Sequence, residues 1–225
     1  MEYKERDGGR RKDRTKRLAV AVYDDVKSRI LSGDYAPGTW LPVDELAQAF
    51  EVSRQPVMEA MRRLSGDWLV EIAPQVGCRV AEYDPRAVNE FITIFGEMEG
   101  SVAALAAERR TPRQLAWAES LCGEIGQIVT RDDHARQLMR GYHDVILQMA
   151  HSSVLERLCE QSWDFASFAG MTIAPPEDEP ETLRRQGNAI KLLTEAIREK
   201  NGPVARLHMT VWLTGLHSPR LGQKR

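Results

Sequence analysis

Apolar residues recur every three or four positions over most of this 225-residue chain, the spacing of helices, and the pattern changes only once. Leu18 to Leu31 carries Val22, Val26 and Ile30 on one face, and the turn-forming run Ser32 to Gly38 stops it. A second helix is expected from Pro42, with Leu46, Ala49 and Phe50 as its apolar stripe. Ser53 reads as the N-cap of a third, and Pro56 is tolerated because it falls in the first turn. There Val57, Ala60, Met61 and Leu64 share one face, and Arg54, Gln55, Met58 and Arg62 share the opposite one. Leu69 to Ile72 and Cys78 to Ala81 read as two short strands joined by Ala73-Pro74-Gln75-Val76-Gly77. Beyond Tyr83-Asp84-Pro85 only helical patterns remain, over 85–110, 112–130, 133–150, 153–170, 181–200 and 203–217. The breaks are Thr111-Pro112, His151-Ser152-Ser153, the acidic Ala174 to Pro180, and Asn201-Gly202-Pro203.

Two short helices, a tight turn and a following hairpin make a winged helix-turn-helix, a layout that reads DNA. The expected fold is mostly α. A flexible basic arm (1–17) leads into the winged helix-turn-helix (18–82), then an all-α antiparallel helical bundle (83–217) and a tail (218–225). A net charge of −2 does not by itself announce nucleic acid. The first 17 residues hold 8 basic and 4 acidic groups, a mildly cationic arm. The DNA argument therefore rests on where charge sits. Arg54, at the start of the third helix, suits a bidentate contact to guanine, and Gln55 can read adenine or a phosphate. Ser53 can cap the helix and touch phosphate. Arg62 and Arg63 divide between phosphate contact and plain solvated charge. Met58 cannot bind phosphate but can meet a thymine methyl. Arg79 is a weaker candidate on the wing.

With 42% hydrophobic and 28% charged residues the chain has enough apolar content for a real core. No apolar run approaches the ~18 residues of a membrane span. Met1 to Arg17 lacks the apolar segment of a signal peptide. Three scattered cysteines, Cys78, Cys122 and Cys159, suit a reducing cytoplasm. No Gly-rich phosphate loop or nucleophile elbow is present, and Glu97 and Glu99 point different ways on one helix. An enzyme is not expected, and neither is a cofactor.

Several segments resemble the GntR family of bacterial transcriptional regulators. They are Val22 to Val26, Ile30 to Gly33, Pro37-Gly38, Glu45-Leu46-Ala47, Val52 to Val57 and Leu69-Val70. The helical remainder resembles the FadR subfamily, whose C-terminal ligand-binding domain is called FCD. Its register is held by Met139 to His143, Ala196-Ile197 and Ala205 to Met209. The resemblance covers residues 18–217. It implies a homodimer on a palindromic DNA operator, acting as a repressor in the bacterial cytoplasm and nucleoid-associated when bound. It also implies that a small ligand in the bundle alters DNA affinity, that Arg54 contacts DNA, and that Gly77 lets the wing backbone approach the minor groove. Many relatives have Thr for Gln55 and Arg for Met58, and the subfamily's namesake has a DNA-contacting Arg where Asp44 stands. The role carries over; the operator sequence does not.

The same resemblance speaks to the bundle. Most FCD domains hold a divalent metal with one Asp and three His. Those positions fall on Met139, His143, Ile190 and Trp212, and an Arg that often clamps a carboxylate falls on Phe95. Three of the four ligands have become apolar, and one imidazole does not hold a metal usefully. No metal is expected, save through a relocated pair of His143 and His208. Phe95, Met139, Tyr142, Ile190 and Trp212 then line a pocket with His143 as its polar handle, suited to a small hydrophobic or aromatic effector. Alternatively these side chains simply fill the interior, and the bundle serves dimerisation or partner binding only.

Overall fold

The first helix of the computed structural model is longer than its apolar stripe; the described residues are 5–130, 132–170 and 179–217. Helix α1 spans Glu5–Ser32, so the segment expected as an arm is helical from Glu5 onward. The stretch before Leu18 is rich in Arg and Lys and has no proline, so a helix nucleated on the packed stripe propagates backward through good helix formers. The expected tail 218–225, and the acidic connection as far as Asp178, lie outside the described residues.

The chain divides into two compact units, Met1–Tyr83 and Asp84–Arg225. In the first, Val22, Val26 and Ile30 of α1 are fully buried, as are Val57, Met61 and Leu64 of α3 (Arg54–Gly66), the helix it packs against. Helix α2 (Val43–Ala49) buries Val43, Leu46 and Ala47. The expected stripe is thus displaced: Ala49 is exposed and Phe50 is only the C-cap. Pro42 is the N-cap, so the helical phase starts at Val43, and the third and fourth residues on are Leu46 and Ala47. The wing is the antiparallel pair β1 (Val70–Ala73) and β2 (Gly77–Val80), with Val70 opposite Val80 and Ala73 opposite Gly77. One further backbone bond, Ala81 N–H to Leu69 O at 2.9 Å, extends it at the open end. The other edge of β2 takes bonds from Leu41 N–H to Cys78 O and from Val80 N–H to Thr39 O. Gly77 has φ of +151°, which other residues rarely adopt, and the Trp40 ring lies 3.6 Å from where a Cβ would stand.

The second unit is six helices. Helix α4 (Pro85–Arg109) starts at Asp84, whose carboxylate accepts from Arg86 N–H, with Pro85 in its first turn. Helix α5 (Pro112–Ile125) opens with a capping box of Thr111 and Gln114 and ends at Gly126, short of the expected residue 130. Helix α6 (Asp133–Met149) is capped by Asp132, bonded to Ala135 N–H at 2.8 Å. Helices α7 (Ser153–Gly170), α8 (Glu179–Arg198) and α9 (Gly202–His217) complete the bundle. Helix α4 packs most extensively on α9. Glycines allow it: a Cβ at Gly100 would fall 2.5 Å from Thr210 Oγ1, and one at Gly96 3.1 Å from Thr214 Cγ2. Arg109 and Arg110 donate to the carbonyls of Ala150 and Ile197, satisfying acceptors at the ends of α6 and α8. Among the described residues no helix is long and apolar enough to cross a membrane.

Candidate functional site

Two surfaces carry chemistry, one on the outside of the first unit and one inside the second. On the first unit, α3 turns its apolar face inward and presents Arg54, Gln55 and Arg62 to solvent, with Met58 half-buried beside them. Ser53 is the N-cap by backbone conformation, yet its hydroxyl makes no capping bond. The expected cap role of that side chain is therefore absent, and the hydroxyl stands exposed at the start of the helix. Arg54 is gripped from one side. Its Nη1 lies 3.1 Å from Asp44 Oδ1, although the side chains remain 67% and 73% exposed. Arg63 is occupied otherwise: its guanidinium sits 3.8 Å from the centre of the Tyr23 ring, and Tyr23 Oη–H donates to Asp67 at 2.6 Å. On the wing, Arg79 stands opposite Glu71 and donates to it from Nε at 2.8 Å. Gly77 starts the return strand.

Inside the second unit, α4, α6, α7 and α9 bring six rings together. Phe91 stacks on Phe95 at 5.7 Å, Phe95 meets Trp163 at 6.2 Å, and Trp163 meets Trp212 at 5.9 Å. Tyr142 is edge-on to Trp212 at 5.9 Å, and its hydroxyl bonds Thr194 Oγ1 at 2.8 Å. Burial raises that phenol's pKa well above its ordinary range. The His143 imidazole lies flat on Trp163, with ring centres 3.9 Å apart.

His143 and Glu99 are both completely buried, and Nε2 of one is 3.1 Å from Oε1 of the other. The distance is that of an ion pair, but the atoms are not aligned as a hydrogen bond. Both Glu99 oxygens, both His143 nitrogens and Trp212 Nε1 are buried without a hydrogen-bond partner. Burial alone would depress the imidazole pKa. Interactions with Asp144, 3.7 Å from Nδ1, and with Glu99 outweigh it and hold the pKa above its ordinary value. Arg140 ties in two more carboxylates, Asp144 at 2.9 Å and Asp164 at 2.7 Å. Burial, then the charge of Glu99, pushes the Cys159 thiol upward, so it is inert. A cleft of about 670 Å³ lies elsewhere, between α5 and α8, lined by Cys122, Gly126, Gly187, Lys191 and Arg198 among others.

Residues 18–80 match the model of the bacterial regulatory proteins, gntR family, and residues 90–214 match the FCD domain. The HTH-type transcriptional repressor RspR of Escherichia coli is 30% identical over 198 residues, 84% of this chain and 82% of the relative. The galactonate operon transcriptional repressor of the same organism is 29% identical over 216 residues, covering 86% and 90%. The solved structure of E. coli McbR/YncC matches with a TM-score of 0.74 and 26% identity, over 88% of this chain and 94% of that one. The chain belongs to the gntR family. It is a DNA-binding transcriptional regulator of the FadR-like, FCD-bearing branch, and its families and relatives are regulators, not enzymes.

Within this GntR regulator, the FCD metal positions do not fit a metal. Ile190 and Trp212 are buried apolar side chains beside His143, and Met139 is half-buried. Among the described residues no three His, Cys, Asp or Glu side chains cluster, so His143 and His208 have no third ligand. Phe95, Tyr142, His143, Ile190 and Trp212 do come together, with Trp163 between them, while no contact joins Met139 to the ring cluster. The sequence reading missed Glu99 and Trp163. A signal existed for Glu99: it continues the buried stripe Val88, Ile92, Phe95, Val102, Ala106, where an apolar residue is the rule. Trp163 carried no such signal, because one more aromatic on a helix face reads as ordinary core.

Proposed function

We propose that this regulator is a homodimeric cytoplasmic repressor that binds a palindromic operator, and that a small, largely apolar ligand in the bundle modulates its affinity. The observation that carries the ligand is the buried aromatic cluster with unpartnered polar atoms at Glu99, His143 and Trp212. Buried polar groups without partners are costly, and native proteins keep them where something else uses them. On the DNA side, Ser53, Arg54, Gln55, Met58 and Arg62 form the reading face, with Gly77 and Arg79 on the wing. Asp44 holds one edge of the Arg54 guanidinium and leaves the remaining N–H groups for a base. A dimer is supported by Ile94, Leu207 and Val211, which are exposed on the mutually packed α4 and α9.

The test is selection of bound duplexes from a random library, followed by affinity measurement with Arg54→Ala. An inverted repeat is expected. The substitution should cost about 1–3 kcal/mol and relax one base position per half-site. A single unrepeated site would remove the dimer, and an unchanged affinity would remove Arg54. A second reading, a filled bundle with no ligand, is favoured by one observation: His143 and Trp163 already stack at 3.9 Å.

A further inference from the structure

The two unit interiors differ in one respect that bears on the ligand. Five polar or charged residues are deeply buried among the described residues, Glu99, His143, Ser162, Gln186 and Thr194, and all lie in the bundle. Ser162 and Thr194 are spent on backbone carbonyls of their own helices. Glu99 is different: it is fully buried, and neither oxygen has an aligned hydrogen-bond donor. Around it the charges do not balance. Glu99, Asp144 and Asp164 face Arg140 and His143, so even a protonated imidazole leaves one negative charge over. A carboxylate effector would add to that excess; a cation would remove it. The walls favour the same sign, since the negative faces of indole and phenyl rings attract cations within about 6 Å.

We propose that the effector carries a positively charged nitrogen: the pocket takes a compact organic amine or quaternary ammonium, with Glu99 as its counterion and Phe95, Trp163 and Trp212 around its apolar body. This rests on the ligand-responsive reading above and adds the charge to it. The rings already touch, so the ligand is small and takes the place of a ring contact, the His143–Trp163 stack being the nearest to Glu99. His143 becomes the neighbour that yields Glu99 to the ligand. The family's anion-clamping position is Phe95 here, in keeping with an inverted preference.

The experiment uses matched probes of one shape and three charges on the full-length protein. They are 2-phenylethylamine, 2-phenylethanol and phenylacetate, with tryptamine, tryptophol and indole-3-acetate as a second set and tetramethylammonium as a ring-free cation. Binding is read by calorimetry, and operator affinity in parallel. The amine is expected to bind about tenfold or more tighter than its alcohol, the worth of one charged hydrogen bond. Glu99→Gln should erase that preference while the alcohol still binds and operator affinity without probe is unchanged. Glu99→Asp should keep part of the preference, a selectivity that a purely structural Glu99 would not confer. Alcohols binding as well as amines would overturn the charge while leaving an apolar pocket. Carboxylates binding best would overturn both the charge and the site electrostatics. No binding by any probe would overturn the amine proposal and turn the reading toward the filled bundle, in which Glu99→Gln alters stability alone.

Discussion

The head and the bundle spend their polar residues in opposite directions. In the head every deeply buried side chain is apolar, and the charges of α3 and the wing face outward. In the bundle a carboxylate and an imidazole sit at full burial among aromatic rings. A surface that meets a polyanion keeps its cations solvated until DNA replaces the water. A pocket that meets a small molecule must hold its polar groups dry and ready. The contrast therefore locates two recognition chemistries by burial alone, without reference to any relative.

The strongest way to break this comparison is Trp212→Ala. A well-packed core tryptophan should cost the bundle about 3–5 kcal/mol, read as a lowered urea midpoint of its transition. A loss under about 1 kcal/mol would mean that the ring borders open space, and the interior would be a cavity before any ligand arrives. The head's DNA-contacting face contains no such residue, so the equivalent experiment there changes binding and not folding.

A smaller effect tests the buried pair through pH. The folded pKa of His143 is raised, so its contribution to stability is fully present below the unfolded value of about 6.5 and is lost as pH rises through the folded value. Wild-type stability should thus fall across the upper side of neutrality, and His143→Gln should flatten that part of the curve. Asp144, held below its ordinary value by His143 and Arg140 against its burial, contributes at higher pH and is lost only in acid. Equal slopes in wild type and variant would show that Glu99 and Asp144 do not stabilise the imidazolium.

The smallest expected effect lies in the head. Asp44→Ala removes one partner of a pair that is mostly solvated, so stability should move by less than about 0.5 kcal/mol. Base discrimination at the Arg54 position should nevertheless weaken, because the guanidinium loses the carboxylate that orients it. Comparing selected operators from wild type and Asp44→Ala checks this. Unchanged base preference would make Asp44 a bystander.

What the sequence made legible follows the same division. Helical period, Pro85 and Thr111-Pro112 placed α4 and α5 closely, and Val57, Ala60, Met61 and Leu64 gave the buried face of α3. The phase of α2 was missed because a seven-residue helix holds too few turns for its period to be read. The start of α1 was missed because its early residues carry no apolar stripe, although they suit a helix. In the bundle, residue-by-residue likeness found Phe95, Tyr142, His143, Ile190 and Trp212 but overlooked Glu99. A carboxylate on an apolar face looks like a surface residue until a neighbouring helix covers it. Only the packing of α4 against α6 and α7 reveals that it is covered.

The glycine-lined seam between α4 and α9 has a consequence in time. The opening helix of the bundle lies against its closing one, with Gly96 and Gly100 under Thr210 and Thr214. Contacts so distant in sequence form late and carry a large loop-closure entropy. On the ribosome the head can complete its short-range core as soon as the wing has emerged. The bundle must wait for α9, with the inner face of α4 and its buried glutamate open to water until then. Truncation within α9 should therefore leave a folded head attached to an uncollapsed, aggregation-prone remainder, and the rate of its emergence sets how long that state lasts.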